Sequence, residues 1–473
     1  MIPPSAGSLK VDILGMPRTF FIALFVLLSL LFVLPGNSKA QVDVIEGDLI
    51  KTAASPDVYI VKFVGSKKFK RLILSPDIFN QYGHLRWENI KIIDASVLAE
   101  HTTTDLVRMD IDTKIYRLAS AGDRGTKYHL NMTAAEFESD GYDKDAVYTI
   151  NRFEHDSYCN GEPITFPSAG KPIPEACPGP YGLGISDLDR TDVMQALVFL
   201  GVDTARFQIN VSRSVLSEQE AANIGNKLEA DTQKARTNKI DVLPILMNPP
   251  LGGANQPVTP PEDFDIFAVN VSKIVKYAPS VRQWQIWNEP NEASFWSPSP
   301  NPDAYALLLQ KSYQAIKLAN PNAQVLAAGL VGVSNQAVGG FLQELYSQGA
   351  KNYFDILALH PYNPPLAPSL YLKDYLLSIK SIMEKNGDLD KKIWITEIGW
   401  PTDPAQQGYV SEQTQASYVR ELYQVTDALS FVERTMWYRL DDSGPQEGWG
   451  IYTFNLVGQK PAAFAYAEIT PKP

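Results

Sequence analysis

Two stretches of this 473-residue chain are the most informative about its fold: residues 283–289 read QWQIWNE and residues 393–400 read IWITEIGW. Each is a short apolar run typical of a buried strand, and each brings a glutamate, Glu289 or Glu397, to its carboxyl end. A carboxylate on a buried strand is energetically unfavourable unless its surroundings are built to hold it. The two stretches therefore predict strands that bring two carboxylates to a shared polar site.

Strand-like and helix-like runs alternate after residue 180. The predicted strands are Gly182–Ser186, Thr204–Asn210, Val242–Met247, Gln283–Asn288, Ala323–Gly329, Phe354–His360, Ile393–Glu397 and Thr435–Arg439. The predicted helices are Asp192–Leu200, Glu218–Thr237, Asp263–Tyr277, Asp303–Leu318, Val338–Gly349, Leu370–Lys385, Glu412–Ala428 and a short one near Ala462–Ile469. Eight pairs in about 290 residues indicate an α/β fold, a (β/α)8 TIM barrel over residues 181–473. A doubly wound sheet is the alternative, but residues 182–187 lack a glycine that its phosphate turn needs.

Residues 41–155 contain short β-like runs and a weak internal repeat. The pattern from Val58 through Gly65 and Lys70 to Ile90 recurs 57–58 residues later, from Ile115 to Tyr148. Two copies of a unit of about 50 residues predict a small, β-rich, duplicated accessory module. Residues 67–71 (KKFKR) suggest either a contact with an anionic polymer or a solvated hairpin, and the hairpin is the simpler interpretation.

A Pro-rich linker is predicted at residues 156–180, which hold six Pro and three Gly in 25 residues. The two cysteines of the chain, Cys159 and Cys177, lie in this segment with 17 residues between them. In an oxidising compartment two such thiols are expected to pair, so the sequence predicts one disulfide within the linker.

The first 40 residues have the pattern of an export signal. Residues 20–34 are apolar apart from Ser29, they follow Arg18, and the small-residue site Ser38-Lys39-Ala40 comes after them. A core of 15 residues is short for a membrane span, which needs about 20. We therefore expect a signal peptide at residues 1–40 and a secreted or extracytoplasmic protein. An uncleaved N-terminal anchor is the alternative.

Polar and aromatic side chains concentrate where the predicted barrel strands end. They include Arg206 on strand two, Asn288 and Glu289 after four, His360 and Tyr362 after six, Glu397 on seven, and Trp400 and Trp437 nearby. In a barrel the catalytic groups lie at these carboxyl ends. Glycoside hydrolysis requires two carboxylates, one protonated and one ionised. Strands four and seven face each other across the barrel mouth, which suits the short separation of about 5–5.5 Å in retaining enzymes.

The sequence resembles the clan of retaining glycoside hydrolases with a (β/α)8 barrel and catalytic glutamates on strands four and seven. Residues 286–291 (IWNEPN) and 396–400 (TEIGW) are most similar to family 39 and its bacterial neighbours, which include β-xylosidases and exopolysaccharide endoglycosidases. The resemblance covers residues 180–470 and excludes residues 41–155. The clan motifs are specific as a set.

Roles follow from this resemblance by position. It implies that Glu289 is the acid/base, that Glu397 is the nucleophile, and that Asn288 donates to the sugar 2-hydroxyl. It implies further that Arg206 and Tyr362 bind the nucleophile and that Trp437 forms the floor of the sugar subsite. His360 and Trp400 are counted with the substrate-binding residues. Several side chains have open alternatives. Glu292 competes for the acid role or is a rim charge, and His360 acts in the site or is a structural donor inside a packed strand. Asp441 and Asp442 either cap the turn after strand eight or bind sugar, and Trp296 and Trp449 either stack on sugar or pack in loops.

We expect a secreted retaining glycosidase whose partner is an oligo- or polysaccharide. The module before the barrel is expected to contact a cell-wall or matrix polymer. The alternatives are a non-catalytic sugar-binding barrel and a transglycosylase that uses the same covalent intermediate. No cofactor or metal is expected, because one barrel His and scattered carboxylates lack ligand spacing. The net charge of −11 disfavours a nucleic-acid partner, whose phosphates require Lys and Arg.

Overall fold

The computed structural model describes residues 42–470 except 111, 122–123, 162, 169–178, 252–255 and 445. The expected signal peptide, Cys177 and the side chain of Cys159 lie outside the described residues, so the export signal and the disulfide remain predictions. Within the described part of the chain, no helix has both the length and the apolarity to span a bilayer.

Residues 181–470 form the barrel. Its strands are β12 Tyr181–Gly184, β13 Thr204–Asn210, β14 Asp241–Met247, β15 Gln283–Ile286, β16 Gln324–Leu326, β17 Leu330–Val331, β18 Ile356–His360, β19 Lys392–Ile398 and β20 Val432–Trp437. Its helices are α5 Thr191–Leu200, α6 Glu218–Thr237, α7 Phe264–Lys276, α8 Pro302–Ala319, α9 Ala337–Ser347, α10 Leu372–Lys385, α11 Glu412–Asp427 and α12 Pro461–Ile469. These bounds agree with the predicted elements to within a few residues.

All strand pairs of this sheet are parallel, and the sheet closes on itself because β12 pairs with both β13 and β20. The fifth barrel strand is interrupted, so that β16 and β17 both pair with β18. The expectation of a (β/α)8 barrel is confirmed, and the doubly wound alternative is wrong. Closure brings the carboxyl ends of all the strands to one mouth.

Residues 49–165 form two sheets. The strands are β1 Leu49–Lys51, β2 Val58–Val64, β3 Lys67–Ile73, β4 Ile90–Ile92, β5 Thr102–Thr103, β6 Leu106–Met109, β7 Ile115–Ala121, β8 Arg124–Asn131, β9 Tyr148–Ile150, β10 Cys159–Asn160 and β11 Ile164–Thr165. The helices are α1 Pro76–Gln81, α2 Ala95–Ala99, α3 Ala134–Ser139 and α4 Arg152–Ser157. The first sheet has the order β4-β1-β2-β3-β5 and the second the matching order β9-β6-β7-β8-β10. The expected duplication is confirmed.

A buried lysine occupies the same place in both copies. Lys70 Nζ donates to the carbonyls of Leu98 and His101, at 2.9 and 2.5 Å. Lys127 Nζ, 57 residues later, donates to the carbonyls of His155 and Tyr158, at 2.7 and 3.0 Å. Each lysine thus binds carbonyls at the C-terminal end of the second helix after its strand, α2 or α4, where a cation is favoured.

The KKFKR run is only partly a solvated hairpin. Lys67 and Lys68 are exposed and pair with Asp143 and Glu100, at 2.7 and 2.9 Å. Lys70 and Arg71 are buried instead. The described cations of this run are therefore occupied within the module.

Arg71 joins the two copies through a buried ion pair. Its guanidinium binds both carboxylate oxygens of Glu154, with Nη2 to Oε2 at 3.2 Å. Tyr82 and Tyr158 also donate their hydroxyls to this carboxylate, the second at 2.6 Å. Removing one partner of such a pair leaves an uncompensated buried charge, which is strongly destabilising.

We expect Glu154→Gln to destabilise the module by about 3–5 kcal/mol, because Arg71 stays charged and buried. Hydrogen exchange of peptides from β2, β3 and β8 measures this loss in the full-length chain. The matched control, Glu100→Gln, removes an exposed pair with Lys68 and should leave exchange unchanged. Equal protection in both variants would contradict the structural role of the buried pair.

Candidate active site

A cavity of about 610 Å³ opens at the carboxyl end of the barrel strands. Residues that line it include Arg206 on β13, Asn288 and Glu289 after β15, Tyr362 after β18 and Glu397 on β19. The structure therefore brings five of the predicted site residues together at one mouth. They come from four strands, so the closed barrel is what assembles them.

Glu397 is held by two donors. Arg206 Nη1 donates to its Oε1 at 2.5 Å, and the Tyr362 hydroxyl donates to its Oε2 at 2.9 Å. Burial opposes ionisation of this carboxyl, but the neighbouring His360, the Arg206 cation and the hydrogen bonds from Arg206 and Tyr362 outweigh burial and lower the pKa of Glu397. Glu397 is thus kept as a carboxylate.

Glu289 has a different environment. Its Oε1 contacts Nδ1 of His360 at 2.6 Å. Burial is the largest influence on this carboxyl, and together with the nearby Glu397 charge it raises the pKa of Glu289 in spite of His360 and Arg206. Glu289 thus favours the protonated form at a pH where Glu397 is ionised.

The two carboxylates are close neighbours. Oxygen atoms of Glu289 and Glu397 and a ring nitrogen of His360 lie within 4.8 Å of one another. Three such ligands could hold a metal ion, but the Arg206 cation already binds Glu397 and Glu289 already binds His360. A protonated and an ionised carboxyl side by side, aimed into a cavity, suit acid and nucleophilic catalysis instead.

Two residues that the sequence analysis missed support this arrangement from below. Gln285 on β15 accepts a hydrogen bond from Nε of Arg206 at 2.9 Å, and Thr396 on β19 contacts Nε2 of His360 at 2.9 Å. Both side chains are completely buried. The available signal was a polar residue inside an apolar strand, which is unfavourable unless it has a partner.

The backbone at the end of β15 turns sharply to present Glu289. Trp287 and Glu289 have φ values of 71° and 43°, a region that L-residues rarely adopt. The amide of Glu289 donates to the carbonyl of Gly329 at 3.2 Å, in the break between β16 and β17. A Cβ on Gly329 would lie 2.0 Å from Nε2 of His360, so glycine there gives His360 its place.

Trp400 and Trp437, expected among the substrate-binding residues, are buried away from the cavity. Trp400 and Trp437 are fully buried with ring centres 5.8 Å apart, and their indole N–H groups donate to the carbonyls of Leu366 and Trp449. Neither they nor His360 belongs to the described cavity lining, so the structure places all three behind it. The indoles turn inward because their N–H groups find backbone partners there.

Tyr438 and Trp449 line the cavity where Trp437 was expected. With Tyr362 they form an aromatic wall whose ring centres lie 5.6–5.9 Å apart in edge-to-face contacts. Burial raises the pKa of Tyr438 to about 12, so its hydroxyl stays protonated. This wall is the aromatic surface that a sugar in the cavity would meet.

The side chains whose roles the sequence left open differ in burial and in contact with the cavity. Glu292 is exposed, as expected for a rim charge, and Trp296 is buried against Trp287. Asp441 lines the cavity, whereas its neighbour Asp442 is buried in an ion pair with Lys460 at 2.9 Å. Asp441 and Trp449 therefore remain available to a ligand.

Residues 267–452 match the family model described as the glycosyl hydrolase catalytic core. No curated protein matches the chain. Among solved structures it is similar to a family 39 glycoside hydrolase from the gut symbiont Bacteroides cellulosilyticus WH2, at 18% identity and a TM-score of 0.47, covering 76% of this chain and 70% of that one. It is also similar to a glucosidase from Croceicoccus marinus, at 15% identity and a TM-score of 0.50, covering 61% and 64%.

A third similar structure is a family 128 (subgroup I) endo-β-1,3-glucanase from Amycolatopsis mediterranei in complex with laminaripentaose. It has 17% identity and a TM-score of 0.42, and the alignment covers 62% of this chain and 99% of that one. At such identities the structural likeness concerns the fold. The family match confirms the expectation of a glycosidase, and the closed sheet gives its (β/α)8 barrel.

The pKa shifts predict a bell-shaped pH dependence of kcat/KM, with Glu397 ionised and Glu289 protonated in the active form. Tyr362→Phe removes a donor that favours ionised Glu397, so the pKa of Glu397 rises and the acid limb moves to higher pH. The alkaline limb, set by Glu289, should move less. A pH profile on an aryl glycoside measures both limbs.

The matched control is Tyr438→Phe, which alters a neighbouring tyrosine of the same wall that lies against Tyr362 at 5.9 Å between ring centres. Its acid limb should stay at the wild-type position. An equal shift of the acid limb in both variants would show that the hydrogen bond to Glu397 is not responsible.

Proposed function

We propose that the chain is a secreted retaining glycosidase that cleaves O-glycosidic bonds of an oligo- or polysaccharide by double displacement. The observation that carries the proposal is the opposite treatment of two adjacent carboxyls. Glu397 is bound by Arg206 and Tyr362, while Glu289 is bound by His360 and has a raised pKa. Retaining glycosidases need this difference between nucleophile and acid.

In the first step Glu397 attacks the anomeric carbon and forms a glycosyl ester. Glu289 gives its proton to the glycosidic oxygen, which leaves with the bonding electrons. Arg206 and Tyr362 keep the attacking carboxylate ionised and oriented. In the second step Glu289, now a base, takes a proton from water. The water oxygen attacks the anomeric carbon from the face that the leaving group vacated, opposite Glu397, and the ester bond breaks with its electrons returning to the Glu397 carboxylate.

The spacing of the carboxyls supports retention. Oxygens of Glu289 and Glu397 lie within 4.8 Å of each other. An inverting enzyme leaves room for a water between its carboxyl groups, at a separation of about 6.5–9.5 Å. Direct attack by Glu397 fits the shorter distance better.

The cavity supports a sugar as the ligand. Asn288 accepts from Nη2 of Arg206 at 2.9 Å through Oδ1, which leaves its amide N–H groups to donate to a sugar hydroxyl. Tyr438 and Trp449 offer aromatic faces on which a pyranose can pack. Asp441, which also lines the cavity, adds an acceptor.

Secretion is proposed from the signal-like pattern of residues 1–40. A polysaccharide substrate follows from an extracellular location, and the duplicated module is proposed to contact a cell-wall or matrix polymer. A non-catalytic sugar-binding barrel and a transglycosylase are outcomes that the following experiments distinguish.

The stereochemistry of the product tests the double displacement. Two displacements at the anomeric carbon give net retention, so NMR of the first-formed sugar should show the anomer of the substrate. A fluorinated sugar that traps the intermediate should label Glu397. An inverted first product would rule out the nucleophilic role of Glu397, and transfer to an added sugar acceptor in preference to water would identify a transglycosylase.

The acid/base role of Glu289 is tested by Glu289→Ala. Cleavage of substrates with poor leaving groups should fall by about 10²–10⁴, the usual contribution of general acid–base catalysis. Activated aryl glycosides should still glycosylate the enzyme, and azide should restore turnover because it needs no general base. The matched control is Glu292→Ala at the exposed rim, which should retain activity on both substrates.

Equal loss on all leaving groups, without azide rescue, would contradict the role of Glu289. If the wild-type protein binds saccharides but cleaves none from a panel of aryl glycosides and polysaccharides, the non-catalytic alternative holds.

A further inference from the structure

A chain of buried hydrogen bonds connects the two catalytic strands beneath the cavity. Gln285 Nε2 donates to Thr396 Oγ1 at 3.3 Å, and Thr396 Oγ1 contacts His360 Nε2 at 2.9 Å. His360 Nδ1 then contacts Oε1 of Glu289 at 2.6 Å. Thr396 precedes the nucleophile in sequence, yet its hydroxyl is directed to the histidine that binds the acid.

The direction of these hydrogen bonds follows from Arg206. A guanidinium can only donate, so the Gln285 atom that Arg206 Nε contacts at 2.9 Å is the amide oxygen. The amide nitrogen of Gln285 must then donate, to Thr396 and to the carbonyl of Ala327 at 3.4 Å. Thr396 Oγ1 accepts from Gln285, so its own hydrogen is free to be donated to Nε2 of His360.

The two nitrogens of His360 face opposite kinds of partner. Nε2 faces the Thr396 hydroxyl, which is able to donate, and Nη2 of Arg206 at 3.5 Å, which can only donate. Nδ1 faces carboxylates, Glu289 Oε1 at 2.6 Å and Glu397 Oε2 at 3.7 Å. A proton on Nε2 would point at a cation, whereas a proton on Nδ1 points at two acceptors.

We propose that Thr396, oriented by Gln285, fixes His360 as the neutral tautomer with its proton on Nδ1, and so directs the catalytic proton of Glu289 to Oε2. The reason is electrostatic. The carbonyl oxygen of a carboxylic acid accepts a hydrogen bond better than its hydroxyl oxygen does, so an Nδ1–H donated to Oε1 favours the carboxyl hydrogen on Oε2. We assign Oε2, the oxygen that His360 does not bind, to the substrate in the cavity that Glu289 lines.

This assignment deepens the proposed function and rests on it. When the glycosidic bond breaks, the Oε2 proton moves to the leaving oxygen, which keeps the bonding electrons, and Glu397 forms the new bond to carbon. Glu289 becomes a carboxylate whose Oε1 still accepts from His360. Thr396 and Gln285 are positioning residues, because neither touches the reacting atoms.

Thr396→Val tests the proposal, since valine keeps the shape of threonine and removes the hydroxyl. Cleavage of substrates with poor leaving groups should fall about tenfold, a part of the 10²–10⁴ that acid catalysis contributes. Activated aryl glycosides, whose leaving groups need little protonation, should change much less. Thr396→Ser keeps a hydroxyl and should restore the wild-type dependence on the leaving group.

Thr435→Val is the matched control for loss of a hydroxyl from a buried strand. Thr435 lies on β20 beside β19 and is also buried, and its hydroxyl has no hydrogen-bond partner among the described residues. This variant should retain the wild-type dependence on the leaving group. If Thr435→Val and Thr396→Val behave alike, or if Thr396→Val slows all substrates equally, the positioning role is overturned.

The tautomer itself is read by ¹⁵N NMR of the full-length protein with labelled histidine. His360 is the one histidine after residue 180 among five in the chain, and His360→Gln identifies its signals. The wild-type protein should carry the His360 proton on Nδ1. In Thr396→Val the ¹⁵N signals should show that the proton is no longer confined to Nδ1. A proton on Nε2, or on both nitrogens, at the pH of activity would overturn the proposal. This readout needs no substrate, so it separates failure of the tautomer assignment from failure of the proposed glycosidase mechanism.

Discussion

The site depends on one constraint: two carboxyls buried within 4.8 Å of each other cannot both be ionised without compensation. Arg206 resolves the conflict by binding Glu397 and not Glu289. The proton therefore belongs to Glu289, which His360 holds from the other side. A single cation, fixed between Gln285 and Asn288, thus separates the nucleophile from the acid.

The barrel supplies the rigidity that this division of roles requires. Arg206, Glu289, His360 and Glu397 arise from four strands, and parallel pairing fixes their relative heights at the mouth. The break in the fifth strand matters in the same way, because Gly329 leaves space for His360 and accepts the amide hydrogen of Glu289. The break in the fifth strand thus lies beside Glu289 and His360, the residues that it positions.

The duplicated module obeys a different principle. Its two copies share a strand order and a buried lysine at equivalent positions, whereas the Arg71 and Glu154 pair uses one residue from each copy. The sequence repeat therefore explains why the two copies have the same fold. Arg71 and Glu154, which are not equivalent positions of the repeat, join the copies to each other. The cations that give the sequence a basic run serve this internal structure.

The barrel, the duplication and the two glutamates could all be predicted from the amino-acid sequence, because strand and helix periodicity is a local property of the chain. The first predicted strand ends two residues late and the fifth is broken, since pairing partners set those ends. That Tyr438 and Trp449, not Trp437, line the cavity is evident only in the folded chain. Tyr438 directly follows Trp437 at the end of β20, where successive side chains point to opposite sides, and Trp449 reaches the cavity from a later segment outside the strands. The roles of Gln285 and Thr396 were equally hidden, because their partners come from distant strands that meet only when the barrel closes.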